Sequence, residues 1–259
     1  MNIDAYLERI NYTGSREPNA ETLRALQVAH LKTVPFENLS IHANEPIVLD
    51  DDALFAKIVE RRRGGFCYEA NGSFAALLRA MGFEVAMLAA GVTNRRGGFG
   101  PEFDHMTLMV TLAERWLADV GFGDSFLEPL RLDVRDEQVQ RALSFRIVDD
   151  DDHLILMQRK AGEWQPQYRF SLQPYTFADY AEMCRFHETS PDSHFTQNRI
   201  CSRATDDGRI TLSQMRLITT SGPEQTRTER ELSDQDEYNR ILLDHFGIVM
   251  PHPRVNGDP

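Results

Sequence analysis

Three observations predict an α+β fold built from three consecutive units. Apolar residues recur at three-to-four spacing through residues 1–84, the pattern of packed helices. Short β-rich segments separated by turn residues fill 85–187 and predict a small antiparallel barrel or sandwich. Residues 188–259 combine strand-like segments with one helical stretch, a smaller α/β unit. A chain of 259 residues with 41% apolar side chains can build cores of this size, and no repeat or low-complexity linker divides it.

Helices are expected over Ile3 to Ile10, Thr22 to Thr33 and Leu54 to Glu60. A fourth starts at Phe66, from which Phe66, Ala70, Phe74, Leu77, Leu78 and Met81 share a face, and Gly82 marks its end. Strands are expected over Glu84 to Thr93, His105 to Leu112, Trp116 to Val120, Ser144 to Val148, Leu154 to Arg159 and Trp164 to Phe170. Ala113 and Glu114 are the expected turn of a hairpin within this set. The acidic run Asp149 to Asp152 reads as a solvated turn, because a calcium loop needs further oxygen ligands at defined spacing. Later strands lie around Arg209 to Leu212, Met215 to Thr220 and Gln225 to Glu231. The last helix spans Asp234 to Phe246, with Ser233 as N-cap and Gly247 as stop.

The segment Arg62-Arg63-Gly64-Gly65-Phe66-Cys67-Tyr68-Glu69 carries the strongest chemical signal. It sets Cys67 in the first turn of a helix, where free N–H groups and the helix dipole stabilise a thiolate, and Gly64 and Gly65 would let substrate approach. On this segment alone a buried core thiol remains the competing reading. A thiol nucleophile needs a base, and the base needs an orienting acceptor. His105 and Asp119 lie near one another at the open end of the predicted hairpin and supply both types. The competing readings are a hydrogen-bonded core histidine and a cap on the turn that follows. That turn, Gly121-Phe122-Gly123, is a candidate ligand-binding element whose glycine N–H groups could face an anion and whose ring could pack on an aromatic acceptor. Gly97-Gly98-Phe99-Gly100 reads as a hairpin loop at the mouth, Arg61 and Arg62 as solvated, and Cys184 and Cys201 as core thiols. No histidine pair has ligand spacing, so no metal is expected.

With these residues in view, the chain resembles the arylamine N-acetyltransferases. Arg63 to Glu69 fits the family's Arg-Gly-Gly-x-Cys-x-Glu signature, and Asp119-Val120-Gly121-Phe122-Gly123 fits its Asp-Val-Gly-Phe-Gly. Pro35-Phe36-Glu37-Asn38-Leu39 and Ser190-Pro191-Asp192-Ser193-His194-Phe195-Thr196 resemble two further blocks, in the family's order. The resemblance implies an N-terminal helical bundle over 1–84, a central antiparallel β-barrel over 85–187 and a C-terminal α/β lid over 188–259, with a cysteine-protease-like core arrangement. It implies Cys67 as the acetylated nucleophile, His105 as base, Asp119 as its orienter and a buried Arg63–Glu37 pair that fixes the cysteine loop. The implied cofactor-binding residues are Gly121, Phe122 and Gly123, and the implied co-substrate is acetyl-CoA. The implied reaction is ping-pong transfer to an aromatic amine or hydrazine, starting from a thiolate and imidazolium pair. A thiol hydrolase or transglutaminase-like enzyme would use the same three residues, and the triad alone leaves open whether water or an amine takes the acyl group. A binding module that has lost catalysis is disfavoured, since all three residues are present.

Composition excludes other classes. A net charge of −12 argues against nucleic acid as partner. No run of about 18 apolar residues is found, and the N-terminus lacks the basic and apolar regions of a signal peptide, so no membrane partner is expected. Three widely spaced cysteines point to a reducing compartment, and the cytoplasm is the expected location. The chain ends soon after its last expected helix, which by comparison with the family would leave the cleft more open.

Overall fold

The computed structural model describes residues 1–94, 97–222 and 224–250. Its first third is helical, and side chains set where each helix begins. Asn2 accepts the Ala5 N–H ahead of α1 (Ile3–Arg9), and Asn19 accepts that of Thr22 ahead of α2 (Ala20–Thr33). A two-residue strand, β1 (Phe36–Glu37), leads into the short α3 (Leu39–His42). Asp50 caps α4 (Asp51–Phe55), which runs on as a wider π-helical turn (Ala56–Glu60), where the sequence reading has one regular helix. The central helix α5 (Cys67–Ala80) is buried on all sides from Cys67 to Leu78. Its apolar stripe is therefore part of a helix wrapped by both units, and its polar members must find partners inside.

The β-rich stretch forms an antiparallel sheet of eight strands: β2 (Glu84–Val92), β3 (His105–Thr111), β4 (Arg115–Ala118), β5 (Leu130–Arg131), β6 (Gln138–Gln140), β7 (Leu143–Asp150), β8 (His153–Lys160) and β9 (Glu163–Tyr175). Their spatial order is β5-β4-β3-β2-β9-β8-β7-β6. The two edges are stitched by side-chain amides that imitate a strand ladder. Gln138 Oε1 accepts the Arg131 N–H and its Nε2 donates to the Arg131 carbonyl, while Gln140 engages Leu127 and Glu128. The sheet is thus a nearly closed barrel, filled by Leu88, Leu117, Phe145, Ile147, Leu156 and Phe170 among others. A bulge places Gln167 as an extra residue where Pro166, which has no N–H, meets Met157. The Asp149 to Asp152 run straddles the β7–β8 turn, as a solvated hairpin requires.

Helix α6 (Phe177–Thr189) and the single turn α7 (His194–Gln197) lead to a second antiparallel sheet. It contains β10 (Ile200–Ala204), β11 (Arg209–Ser213), β12 (Arg216–Ser221) and β13 (Thr226–Glu231), with β1 on its far edge pairing Phe36 with Ser202 and Glu37 with Cys201. The N-cap of α8 (Gln235–Phe246) is Asp234, one residue later than the sequence reading. Its carboxylate accepts the Glu237 N–H, and Ser233 instead donates to the Glu237 carboxylate. Gly247 ends the helix at φ +67°. Residues 251–259, the end of the expected lid unit, lie outside the described residues. Among the described residues no helix is long and apolar enough to cross a membrane.

The cysteine loop is held against β1. Glu37 N–H donates to the Gly65 carbonyl at 3.0 Å, and a Cβ on Gly64 would fall 1.9 Å from the Pro35 carbonyl oxygen. Backbone cannot yield that far. Gly64→Ala is expected to lower the urea midpoint by the equivalent of about 2 kcal/mol or more. An unchanged midpoint would show that this contact does not hold the loop.

Candidate active site

Cys67 opens α5, and two buried ion pairs fix the loop that delivers it. Phe66, extended at φ −86° and ψ −169°, donates its N–H to Glu69 Oε2 at 3.3 Å. Glu69 Oε1 lies 2.6 Å from Lys57 Nζ. Burial raises the Glu69 pKa against the opposing charge of Lys57. On the other side Arg63 grips Glu37 with two bonds, Nε to Oε1 at 3.0 Å and Nη2 to Oε2 at 3.1 Å. Leu39 N–H and Gly64 N–H also donate to Glu37, at 2.6 Å and 3.3 Å. Burial works against this carboxylate, but the charges of Lys57 and Arg63 with the Leu39 bond hold it below its usual range. Arg63→Ala would strand a buried carboxylate, so a loss of about 3–5 kcal/mol is expected in denaturant unfolding. A loss under about 1 kcal/mol would contradict that role.

Gly64 and Gly65, which the sequence assigns to substrate access, are packing residues. A Cβ on Gly65 would lie 2.5 Å from Glu69 Cβ, so small size is needed to seat the loop.

His105 begins β3 and Asp119 follows β4. The register pairs Leu108 with Ala118; one step further sets Asp119 opposite Thr107, diagonal to His105 on the same face. His105 Nε2 meets Asp119 Oδ2 at 2.7 Å. Tyr168 OH donates to the same oxygen at 3.1 Å, and Asn71 Nδ2 and Gly121 N–H donate to Oδ1, each at 2.9 Å. Burial opposes the Asp119 carboxylate, but His105, Asn71 and Gly121 together hold it below its ordinary 3.8. An ionised Asp119 takes the Nε2–H of His105 and leaves Nδ1 free.

Cys67 is only 3% exposed, and its sulfur is hydrogen-bonded by the backbone of Met106, the residue after His105. Here burial opposes the thiolate that the helix terminus favours. Burial pushes the thiol well above its ordinary value, the Met106 bond opposes this, and Asp104, Cys184 and Asp119 add to it. A proton leaving Cys67 therefore needs an acceptor inside the site. Burial likewise pushes Cys184 to about 12 and Cys201 well up, as expected of core thiols.

Two participants escaped the sequence reading. Asn71 stands one helical turn after Cys67 and bridges α5 to the barrel through the Met106 carbonyl, Asp119 and the Val120 N–H. Its signal was available: a polar residue at i+4 from the cysteine, on the same face. Tyr168 carried none, because its aim depends on the β9 bulge next to it. His187 on α6 also lies close, with Nε2 3.2 Å from Asp104 Oδ1 and its ring among Phe66, Tyr68 and Phe195.

The Gly121-Phe122-Gly123 turn wraps this group. A Cβ on Gly121 would come within 2.8 Å of Cys67 Cα and 2.6 Å of Asn71 Nδ2. Its N–H donates to the Asp119 carboxylate and is not available to an anionic ligand. Phe122 stands edge-on to the His105 and Tyr168 rings, at 5.1 Å and 5.0 Å, and Gly123 sits at φ +88° beside the Phe36 ring. Gly121→Ala is expected to wedge the Asp119 segment off α5 and lower kcat/KM at least about tenfold. An unchanged kcat/KM in the folded variant would contradict this. Among the described residues no cluster of three or more His, Cys, Asp or Glu side chains could hold a metal ion.

Asp119 and Glu37 also set an acid limit. Their folded pKa values lie below 3.8 and 4.5, so their contribution is complete above those values and is lost as pH falls through them. The thermal midpoint is expected to fall between about pH 5 and about pH 3, less steeply in Asp119→Asn. A midpoint flat across that window would contradict the assignment.

Comparison with known proteins agrees with this architecture. A family model described as N-acetyltransferase matches residues 19–255. The arylamine N-acetyltransferase of Mycolicibacterium smegmatis is 38% identical over 220 residues, 82% of this chain and 80% of that protein. That of Escherichia coli (strain K12) is 33% identical over 249 residues, 95% of this chain and 88% of that one. The solved structure of the Mycobacterium marinum arylamine N-acetyltransferase in complex with CoA superposes with a TM-score of 0.89 at 33% identity, covering 95% of this chain and 93% of that chain.

Proposed function

We propose, because this chain belongs to the arylamine N-acetyltransferase family and is an acyltransferase, that it carries an acetyl group from acetyl-CoA to an aromatic amine or hydrazine through Cys67. The observation that carries the reading is the His105–Asp119 bond at 2.7 Å, with Cys67 one residue away at the Met106 backbone.

On this reading His105 Nδ1 takes the Cys67 proton as the sulfur attacks the thioester carbonyl. Asp119 offsets the imidazolium that forms, and the raised thiol pKa makes this coupled transfer the route to an active sulfur. Collapse of the tetrahedral adduct breaks the bond to the coenzyme A sulfur, which leaves with the proton from His105 as the free thiol. The amine then attacks the acetyl-cysteine, gives its proton to His105, and expels the Cys67 thiolate, which recovers that proton. Backbone N–H groups, including that of Cys67, meet the oxyanion in each step. Burial of Cys67 keeps bulk water from the acyl-enzyme and favours the amine over hydrolysis.

The Mycobacterium marinum relative was solved with CoA, which supports a coenzyme A thioester as donor. Phe122 and Gly123 form the face it would meet, Gly121 contributing close packing. Residues 1–84 supply the nucleophile and 85–187 the base and orienter, with the α/β unit that begins at residue 188 as a lid, and the location is cytoplasmic. Initial rates at several fixed amine concentrations test the mechanism: parallel reciprocal plots are expected, and intersecting plots would contradict a free acetyl-enzyme.

A further inference from the structure

Behind the cysteine loop lies a cavity of about 230 Å³, lined by Arg9, Arg62 and Arg203 with Thr33, Asp244 and His245. Arg9 is only 4% exposed, and its guanidinium donates to backbone alone: the carbonyls of Ile58, Thr33, Arg62 and Arg63, at 2.9 to 3.3 Å. Arg203 donates to the carbonyls of Lys32 and His245, and its buried Nε has no partner. These carbonyls lie mostly at helix ends, which offset only a fraction of a charge each.

Elsewhere in the interior, cations meet carboxylates: Lys57 with Glu69 at 2.6 Å, and Arg63 with Glu37 at 2.9 Å. The chain carries 40 acidic against 28 basic residues, so carboxylates are in surplus. Yet among the described residues none of these three arginines forms an ion pair, and the exposed Asp244 on the rim does not pair with them. Burial and repulsion by Arg62 and then Arg203 bring the Arg9 pKa down to about 10, the mark of positive charge gathered without a counterion.

We propose that this cavity binds a phosphate-bearing anion, with the Arg62 guanidinium and the unpartnered Nε of Arg203 as its donors and Arg9 as fixed positive charge behind them. The site is separate from Cys67 but adjoins its loop, because Arg9 Nη2 holds the Arg62 and Arg63 carbonyls. Its phosphate could come from a free anion or from coenzyme A.

The test is calorimetric titration of the whole protein with inorganic phosphate and with diphosphate, at ionic strength matched with chloride. Saturable binding is expected, with a Kd of about 1 mM or tighter, weakened at least about tenfold in Arg62→Gln/Arg203→Gln. Arg62→Glu serves as a second variant, since this exposed side chain makes no described contact whose loss would unfold the protein. No saturable binding, or equal binding in both folded variants, would overturn the proposal. Displacement of phosphate by coenzyme A but not by its 3′-dephospho form would identify the cofactor's 3′-phosphate as the source, and binding that persists beside saturating coenzyme A would identify the free anion. The same titration on Cys67→Ser keeps the result independent of the catalytic reading.

Discussion

Cys67→Ser is expected to lower acetyl transfer by at least about four orders of magnitude with the fold intact. Burial already pushes the thiol well above its ordinary value, so sulfur depends on proton transfer to His105 as it attacks. An alcohol starts several pKa units higher in the same dry environment and is the weaker nucleophile. The substitution is nearly isosteric at a position 3% exposed, so the thermal midpoint should move by no more than about 4 °C. Transfer within about tenfold of the parent rate would remove Cys67 from the mechanism.

Asp119→Asn is expected to cost about three to four orders of magnitude in kcat/KM. Asp119 accepts four hydrogen bonds, from His105 and Tyr168 on one oxygen and from Asn71 and Gly121 on the other. An amide has one oxygen, so either orientation sets its NH₂ against two donors. With the NH₂ toward His105, the ring must accept at Nε2 and carry its proton on Nδ1, the tautomer that cannot take a proton from Cys67. With the NH₂ toward Asn71 and Gly121, two buried donors lose their acceptor, at about 1–3 kcal/mol each. The pH profile separates the cases: loss of the orienter lowers the plateau, whereas simple destabilisation lowers the folded fraction alone. A parent-like kcat/KM in folded protein would assign orientation of His105 to another group.

Local chemistry made the main parts of this site readable. A cysteine after a glycine pair and ahead of an apolar helical stripe marks the first turn of α5, and the hairpin turn brings His105 toward Asp119. The antiparallel barrel was legible as short strands with polar turns. What the sequence hid depends on long-range register. Two residues, Phe36 and Glu37, become a strand only because β10 lies beside them, and a sequence window sees no ladder there. Gln138 and Gln140 fall outside every strand expected from the sequence, yet their amides close the barrel. Tyr168 reaches Asp119 across 49 residues because a proline and a bulge reset its strand. Arg9 lies near the end of the first expected helix with nothing in the sequence to mark it, and only the fold shows it buried under the cysteine loop.

The central claim is that the acyl group rests on Cys67 between donor and acceptor. Intact-protein mass after brief incubation with acetyl-CoA alone, followed by an aminobenzoate or hydrazine, tests it most directly. The account predicts a gain of one acetyl group, mapped to Cys67, absent in Cys67→Ser and discharged by the amine. No acetylated protein under conditions where the amine is turned over, or a label on another residue, would contradict it.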